Sequence, residues 1–143
     1  MAQHNDLGAT GERMAKELLI QKGYEILDEN WVYERAEIDL IAYINHMIIF
    51  VEVKTRSSTG FGLPEDFVNK TKQQLMASAA DEYIEIMNHQ GEVRFDIISI
   101  LFAKNNHTIK HIEDALISLD LQHHSPFLFP SISLVKSCLP FAF

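Results

Sequence analysis

The stretch EIDLIAYINHMIIFVEVKTR, residues 37–56, limits what this chain can fold into more than any other. Ile38 to Ile44 and Met47 to Val53 are rich in β-branched and aromatic residues, with Asn45-His46 between them, so the stretch predicts a β-hairpin. A two-residue or symmetric four-residue loop on Asn45-His46 sets Ile44 opposite Met47, Ile41 opposite Phe50, Asp39 opposite Glu52 and Glu37 opposite Lys54. Strand alternation then gathers Glu37, Asp39, Glu52 and Lys54 on the face of Ile41, Tyr43, Ile48 and Phe50. Ile38, Leu40, Ala42, Ile49, Val51 and Val53 cover the other face. A sheet that is apolar on both faces is buried on both.

Facing residues on such a ladder have Cβ atoms about 4.5–5.5 Å apart, and like charges there are destabilising. Asp39 opposite Glu52 therefore needs a reason. One is a hairpin end that reaches solvent. The other is a cleft at the edge of the core, where a hard cation such as Mg²⁺ takes oxygen ligands from both carboxylates. A three-residue loop would shift the register and put the two acids on opposite faces, so the pairing depends on the turn.

At 143 residues and 47% hydrophobic content, the chain predicts one soluble domain with a real core. A single cysteine, Cys138, excludes an internal disulfide framework and a cysteine-cluster zinc site, and fits a reducing, cytoplasmic setting. The polar start MAQHNDLGATGERMAKE is unlike a secretory signal. No apolar run is long enough to span a bilayer, so no membrane contact is expected. The net charge of −8 argues against a general nucleic-acid binder, which shows a basic footprint. Locally, Lys54, Arg56, Lys70 and Lys72 outnumber Glu65 and Asp66, giving the rim of the cleft a positive cast.

Residues 7–22 carry an apolar helical stripe of Leu7, Met14, Ala15, Leu18 and Leu19, with Thr10 as N-cap and Gly23 as terminator. Glu12 lies on the stripe side, either aimed at whatever the helix packs on or favoured there by the helix dipole. Residues 24–33 predict a strand with an irregular middle at Asp28-Glu29-Asn30. SSTGFGLPED predicts a flexible rim loop. A second helix runs from Val68 to Met87, buries Leu75, Met76, Ala79, Ala80, Tyr83, Ile84 and Met87, and closes near Gly91. Gln73 and Gln74 near its start either reach the cleft or are ordinary solvated positions. Residues 93–103 and 108–112 predict two more strands. The element order is αβββαβ plus a small β addition: an α/β fold, with residues 1–120 as the domain and 121–143 as a tail. The tail holds Pro126, Pro130 and Pro140 among apolar residues and reads as loosely ordered or as an apolar interaction segment. The spacing of His107 and His111 belongs on a helix for metal binding, whereas TIKHI reads as a strand, and Gly60-Phe61-Gly62 lacks the lysine of a phosphate loop.

EIDL followed by EVK resembles the PD-(D/E)xK motif of restriction-endonuclease-like nucleases, and the αβββαβ order resembles their core. Together with GATGERMAKELLIQKGYEIL, FVEVKTR, the lysine-rich second helix and RFDIISI, the chain resembles the YraN-like family of bacterial proteins, itself similar to archaeal Holliday-junction resolvases. The resemblance runs over roughly residues 7–117. It implies a single-domain, restriction-endonuclease-like core with a mixed β-sheet flanked by helices. It further implies a Mg²⁺-dependent endonuclease acting on branched or structured DNA, with Mn²⁺ as a substitute. Asp39 and Glu52 would be metal ligands, Glu12 would complete the acidic site, and Lys54 would position the attacking water. Glu37 would orient Lys54 or act as an outer ligand. Arg56, Lys70 and Lys72 would contact nucleic acid. Ile38 stands where the motif's name has proline. The acidic surface implies help in binding DNA from a homodimer or a DNA-processing partner. The competing expectations are a non-catalytic binding module on the same fold and a structural protein that associates through its tail.

Overall fold

The computed structural model describes residues 2–57 and 70–115. Its elements are α1 (Ala2–Gln21), β1 (Glu25–Tyr33), β2 (Ala36–Ile44), β3 (Met47–Ser57), α2 (Lys70–Ile86), β4 (Glu92–Phe102) and β5 (His107–Ile112). The predicted rim loop, the first residues assigned to the second helix, the boundary at residue 120 and the tail with Cys138 lie outside the described residues.

Asn45 and His46 both take left-handed φ angles, 49° and 65°, and Ile44 pairs with Met47. This two-residue loop gives the hairpin the predicted register, with Ile41 opposite Phe50. The sheet order is β1-β2-β3-β4-β5. All neighbours are antiparallel except β3 and β4, which run parallel from Met47 opposite Glu92 to Ser57 opposite Phe102. The result is a single-domain α/β arrangement with a five-stranded mixed sheet and two helices, consistent with a restriction-endonuclease-like fold. Among the described residues no helix is long and apolar enough to cross a membrane.

Each face of the sheet has its own core. Ile41, Ile48, Phe50, Phe95 and Ile97 pack with Met76, Ala80 and Tyr83 of α2. Leu40, Ala42, Ile49, Val51, Ile98 and Ile100 pack with Ala15 and Leu19 of α1. Each fully buried isoleucine or phenylalanine stabilises by roughly 1.5–3 kcal/mol, so the two-sided burial of β3 makes it the spine of the domain.

α1 ends as predicted. Gly23 has φ +87°, and the Gly23 and Tyr24 N–H groups donate to the Ile20 and Leu19 carbonyls, both at 3.0 Å. That is a Schellman cap. Four local expectations fail. Thr10 is no N-cap, because α1 begins eight residues earlier, at Ala2; its hydroxyl donates to the Asp6 carbonyl at 2.7 Å, the back-bond of a mid-helix threonine. α2 is closed not by Gly91 but by Asn88, with φ 47° and its own Schellman pair, the His89 N–H on the Ile84 carbonyl at 3.0 Å. Met87, beyond the last helical turn, is exposed. Ile38 joins the α2-side core with Ile41 instead of the α1-side core with Leu40.

The last difference has a visible cause. Asn30 has φ 50°, and β1 pairs with β2 at Glu29–Leu40 and Trp31–Ile38 but not between. One left-handed residue reverses the pleat, so Glu29 reaches Lys16 on α1 while Trp31, two positions on, stacks edge-on against Tyr83 of α2 at 5.2 Å. β1 also shifts register between Ile26 and Asp28. The irregular middle is real, and Asp39 lies opposite it.

Gly11 sets how closely α1 lies on the sheet. A Cβ there would sit 2.1 Å from Thr55 Oγ1 and 3.3 Å from its Cβ. Gly to Ala in a helix ordinarily gains about 1 kcal/mol, whereas overpacking costs about 1–3 kcal/mol. Gly11→Ala is therefore expected to lose about 1 kcal/mol in urea unfolding. A more stable variant would contradict the close approach.

Candidate metal centre

The β2–β3 ladder stops at Leu40 opposite Val51. One residue further, the pleat reversal takes Asp39 out of the regular pattern, and its Oδ2 accepts the Val53 backbone N–H at 2.6 Å. Asp39 thus ends the ladder with its side chain. Glu52, on the adjoining stretch of β3, is 2% exposed. Its Oε1 accepts the Lys54 ammonium at 2.6 Å and also that of Lys72, which reaches over from the first turn of α2. Its Oε2 is buried with no hydrogen-bond partner. The cross-strand pairing of Glu37 with Lys54 is not what forms: Lys54 turns to Glu52, and Glu37 is exposed.

Burial raises the Asp39 carboxyl and the Glu52 charge raises it further; the Val53 N–H and Lys72 pull it down, Glu12 pushes it up again, and the balance stands at about 7. A folded value above the unfolded one, about 3.9, means the folded chain holds the extra proton between these pH values. Stability from Asp39 is then full below about pH 4 and is lost as the pH rises through 7. In chelator, Asp39→Asn is expected to flatten the fall in unfolding free energy between pH 5 and 8. An unaltered slope would remove Asp39 from this role.

A buried carboxylate with one oxygen on two ammonium groups and the other without a partner, beside a second carboxylate that burial and repulsion hold back from ionising, leaves hard oxygen donors unsatisfied. These residues fit Mg²⁺ or Mn²⁺. Among the described residues no group of three or more His, Cys, Asp or Glu side chains could enclose an ion alone. Two carboxylates suffice for Mg²⁺, which keeps several waters and takes further ligands from substrate phosphate. Glu12, half-buried on α1 beside Gly11, bears on the pair through its charge at Asp39. Arg56 and Lys70 are exposed, at the end of β3 and the start of α2. Lys72 is not a plain rim cation, because it is held on Glu52.

The family description "Uncharacterised protein family UPF0102" matches residues 11–100, which span both carboxylates and both lysines. The chain belongs to UPF0102. Among its relatives, UPF0102 protein FP2501 of Flavobacterium psychrophilum is 48% identical over 115 residues, covering 80% of this chain and 97% of its own. The UPF0102 protein of Christiangramia forsetii is 47% identical with the same coverage. That of Alkaliphilus oremlandii is 42% identical over 113 residues, 76% of this chain and 96% of its own.

This UPF0102 chain also holds two features that sequence reading missed. The first is Arg35 in the β1–β2 turn, which with Ala36, Glu37, Thr71, Lys72, Leu75 and Met76 lines a cleft of about 390 Å³. The second is a polar cluster on the α1 face. Asp96, 1% exposed, accepts Arg94 Nε at 2.8 Å and Nη2 at 2.7 Å. It also accepts the Asp114 N–H at 3.0 Å and His111 Nε2 at 2.8 Å. Lys22 Nζ lies 2.8 Å from His111 Nδ1; ammonium can only donate, which assigns the ring proton to Nε2. Arg94 further donates to Tyr24 Oη at 2.9 Å. Burial alone would raise the Asp96 carboxyl, but the hydrogen bonds from His111, Arg94 and the Asp114 N–H outweigh it and hold it below the usual range. The spacing of Arg94 and Asp96 two apart on one strand was the only signal available in the sequence.

Proposed function

We propose that the protein is a divalent-metal-dependent endonuclease that hydrolyses phosphodiester bonds in branched or structured DNA. The observation that carries this reading is Glu52: a buried carboxylate with one oxygen clamped by two ammonium groups and the other without a partner. In this reading Asp39 and Glu52 would hold Mg²⁺, or Mn²⁺ in its place, and Glu12 would add its negative charge from α1. The bound ion would act as a Lewis acid on the phosphoryl oxygen and lower the pKa of the attacking water. Lys54, 14% exposed and anchored by Glu52, holds a fixed positive charge where negative charge develops on the phosphoryl group. Arg56 and Lys70, at neighbouring element ends, supply phosphate contacts whose strength falls with salt.

A second reading, a binding module without catalysis, is favoured by the net charge of −8. On either reading a homodimer or a DNA-processing partner supplies further binding surface. The two separate in one assay. Labelled four-way junction, flap, single-strand and duplex DNAs are incubated at low salt with Mg²⁺ or Mn²⁺, with the Glu52→Gln protein in parallel. Metal-dependent cleavage by the wild type alone supports the enzyme. Retention of DNA without cleavage of any substrate supports the binding module.

A further inference from the structure

The cleft beside Glu52 and the ion pair on Glu52 share one residue. Lys72 lines the cleft and at the same time places its ammonium on Glu52 Oε1. Its side chain is 40% exposed, against 14% for Lys54, so of the two lysines it is the one nearer the open cleft. Among the described residues, the other charged residues of the lining are Arg35 and Glu37. With Lys72 held by Glu52, the charges of Arg35 and Glu37 balance in this described part of the lining. With Lys72 released into it, the lining carries a net positive charge. The volume of about 390 Å³ falls in the range of about 300–1,000 Å³ that takes small ligands. That is room for a nucleotide unit of an unpaired strand and not for a duplex. Ala36, Leu75 and Met76 give it an apolar floor.

We propose that this cleft is the nucleotide subsite of the Glu52 centre, with Arg35 and Lys72 as its phosphate contacts, and that Lys72 enters it when a divalent cation takes its place on Glu52. The inference rests on the metal-centre reading above and deepens it. Lysine and cation compete for one carboxylate, since each neutralises the same buried charge. Loading the ion adds one positive charge to the cleft, so cation and strand bind cooperatively.

The test measures two affinities on the full chain. Mn²⁺ binding is followed by calorimetry, and binding of a fluorescent single-stranded thymidine oligonucleotide by anisotropy, in chelator and in Ca²⁺, another hard oxygen-seeking ion. Wild type is expected to bind the oligonucleotide about tenfold more tightly in Ca²⁺, one new ionic contact's worth. The slope of log K against log salt should steepen by about 0.7 for that contact. Lys72→Met, which leaves Glu52 its Lys54 partner, should abolish the rise and bind Mn²⁺ several-fold more tightly. Arg35→Met should weaken the oligonucleotide in both conditions and leave Mn²⁺ binding alone. Lys104→Met, in the β4–β5 turn, should change neither. A Lys72→Met protein that keeps the rise, or binds Mn²⁺ as wild type does, overturns the exchange while leaving the metal centre standing. A wild type that takes no Mn²⁺ overturns both.

Discussion

Glu52→Gln is expected to abolish Mn²⁺ binding measurable by calorimetry and to lower Mg²⁺-dependent cleavage by about 10³-fold or more, several kcal/mol of transition-state stabilisation. The amide keeps the size of the side chain and still offers an oxygen to Lys54, so the fold should survive. What disappears is the buried negative charge whose second oxygen has no partner. The same substitution has a readout independent of activity. Glu52 is the second-largest cause, after burial, of the upward shift that takes Asp39 to about 7. Without Glu52, the Asp39 carboxyl should titrate at lower pH in a ¹³C NMR experiment. A glutamine variant that binds Mn²⁺ like wild type would rule the metal centre out, whatever its cleavage assay showed.

The second large effect concerns stability. Asp96→Ala is expected to cost about 3–5 kcal/mol in urea unfolding at neutral pH, the usual consequence of removing one partner from a buried charged pair. Among the described residues, Arg94 would keep only Tyr24 and, at 3.2 Å, the exposed Glu113. His111 and the Asp114 N–H would lose their acceptor. Against a total of about 5–15 kcal/mol for a domain, that is a large share. Because the Asp96 carboxyl is held below its usual range, its contribution is present above about pH 4 and is lost as the pH falls through the folded value. The alanine variant should therefore show a shallower acid limb than wild type. A loss under about 1 kcal/mol would make the cluster a surface ornament.

The sequence made the hairpin legible because Asn45-His46 is a loop that accepts left-handed backbone, and once the loop has two residues the pairing follows. Carried past its end, that pairing sets Asp39 opposite Glu52; the ladder in fact stops at Leu40 opposite Val51, and Asp39 reaches β3 instead through the Val53 N–H, close enough to Glu52 to feel its charge. Strict alternation then misled at Ile38, since it assumes that every strand residue is extended. A single left-handed Asn30 on the neighbouring strand has no signature beyond the polar run Asp28-Glu29-Asn30. The sequence shows Lys72 only as a rim cation, because its pairing with Glu52 depends on how α2 crosses the sheet, twenty positions along the chain. The Asp96 cluster joins Tyr24 to Arg94 across seventy positions, a distance over which periodicity says nothing.

Asn30 bears on more than the two cores. β1 lies at the margin of the described sheet, where a strand's unpaired N–H and C=O groups invite another chain to add itself. A register shift after Ile26 and a reversed pleat at Asn30 leave no long, regular row of such groups for an incoming strand to match. The irregularity that aims one strand at both helices thus also protects the molecule against open-ended stacking through that margin, and a regularised β1 should aggregate on heating where the natural strand does not.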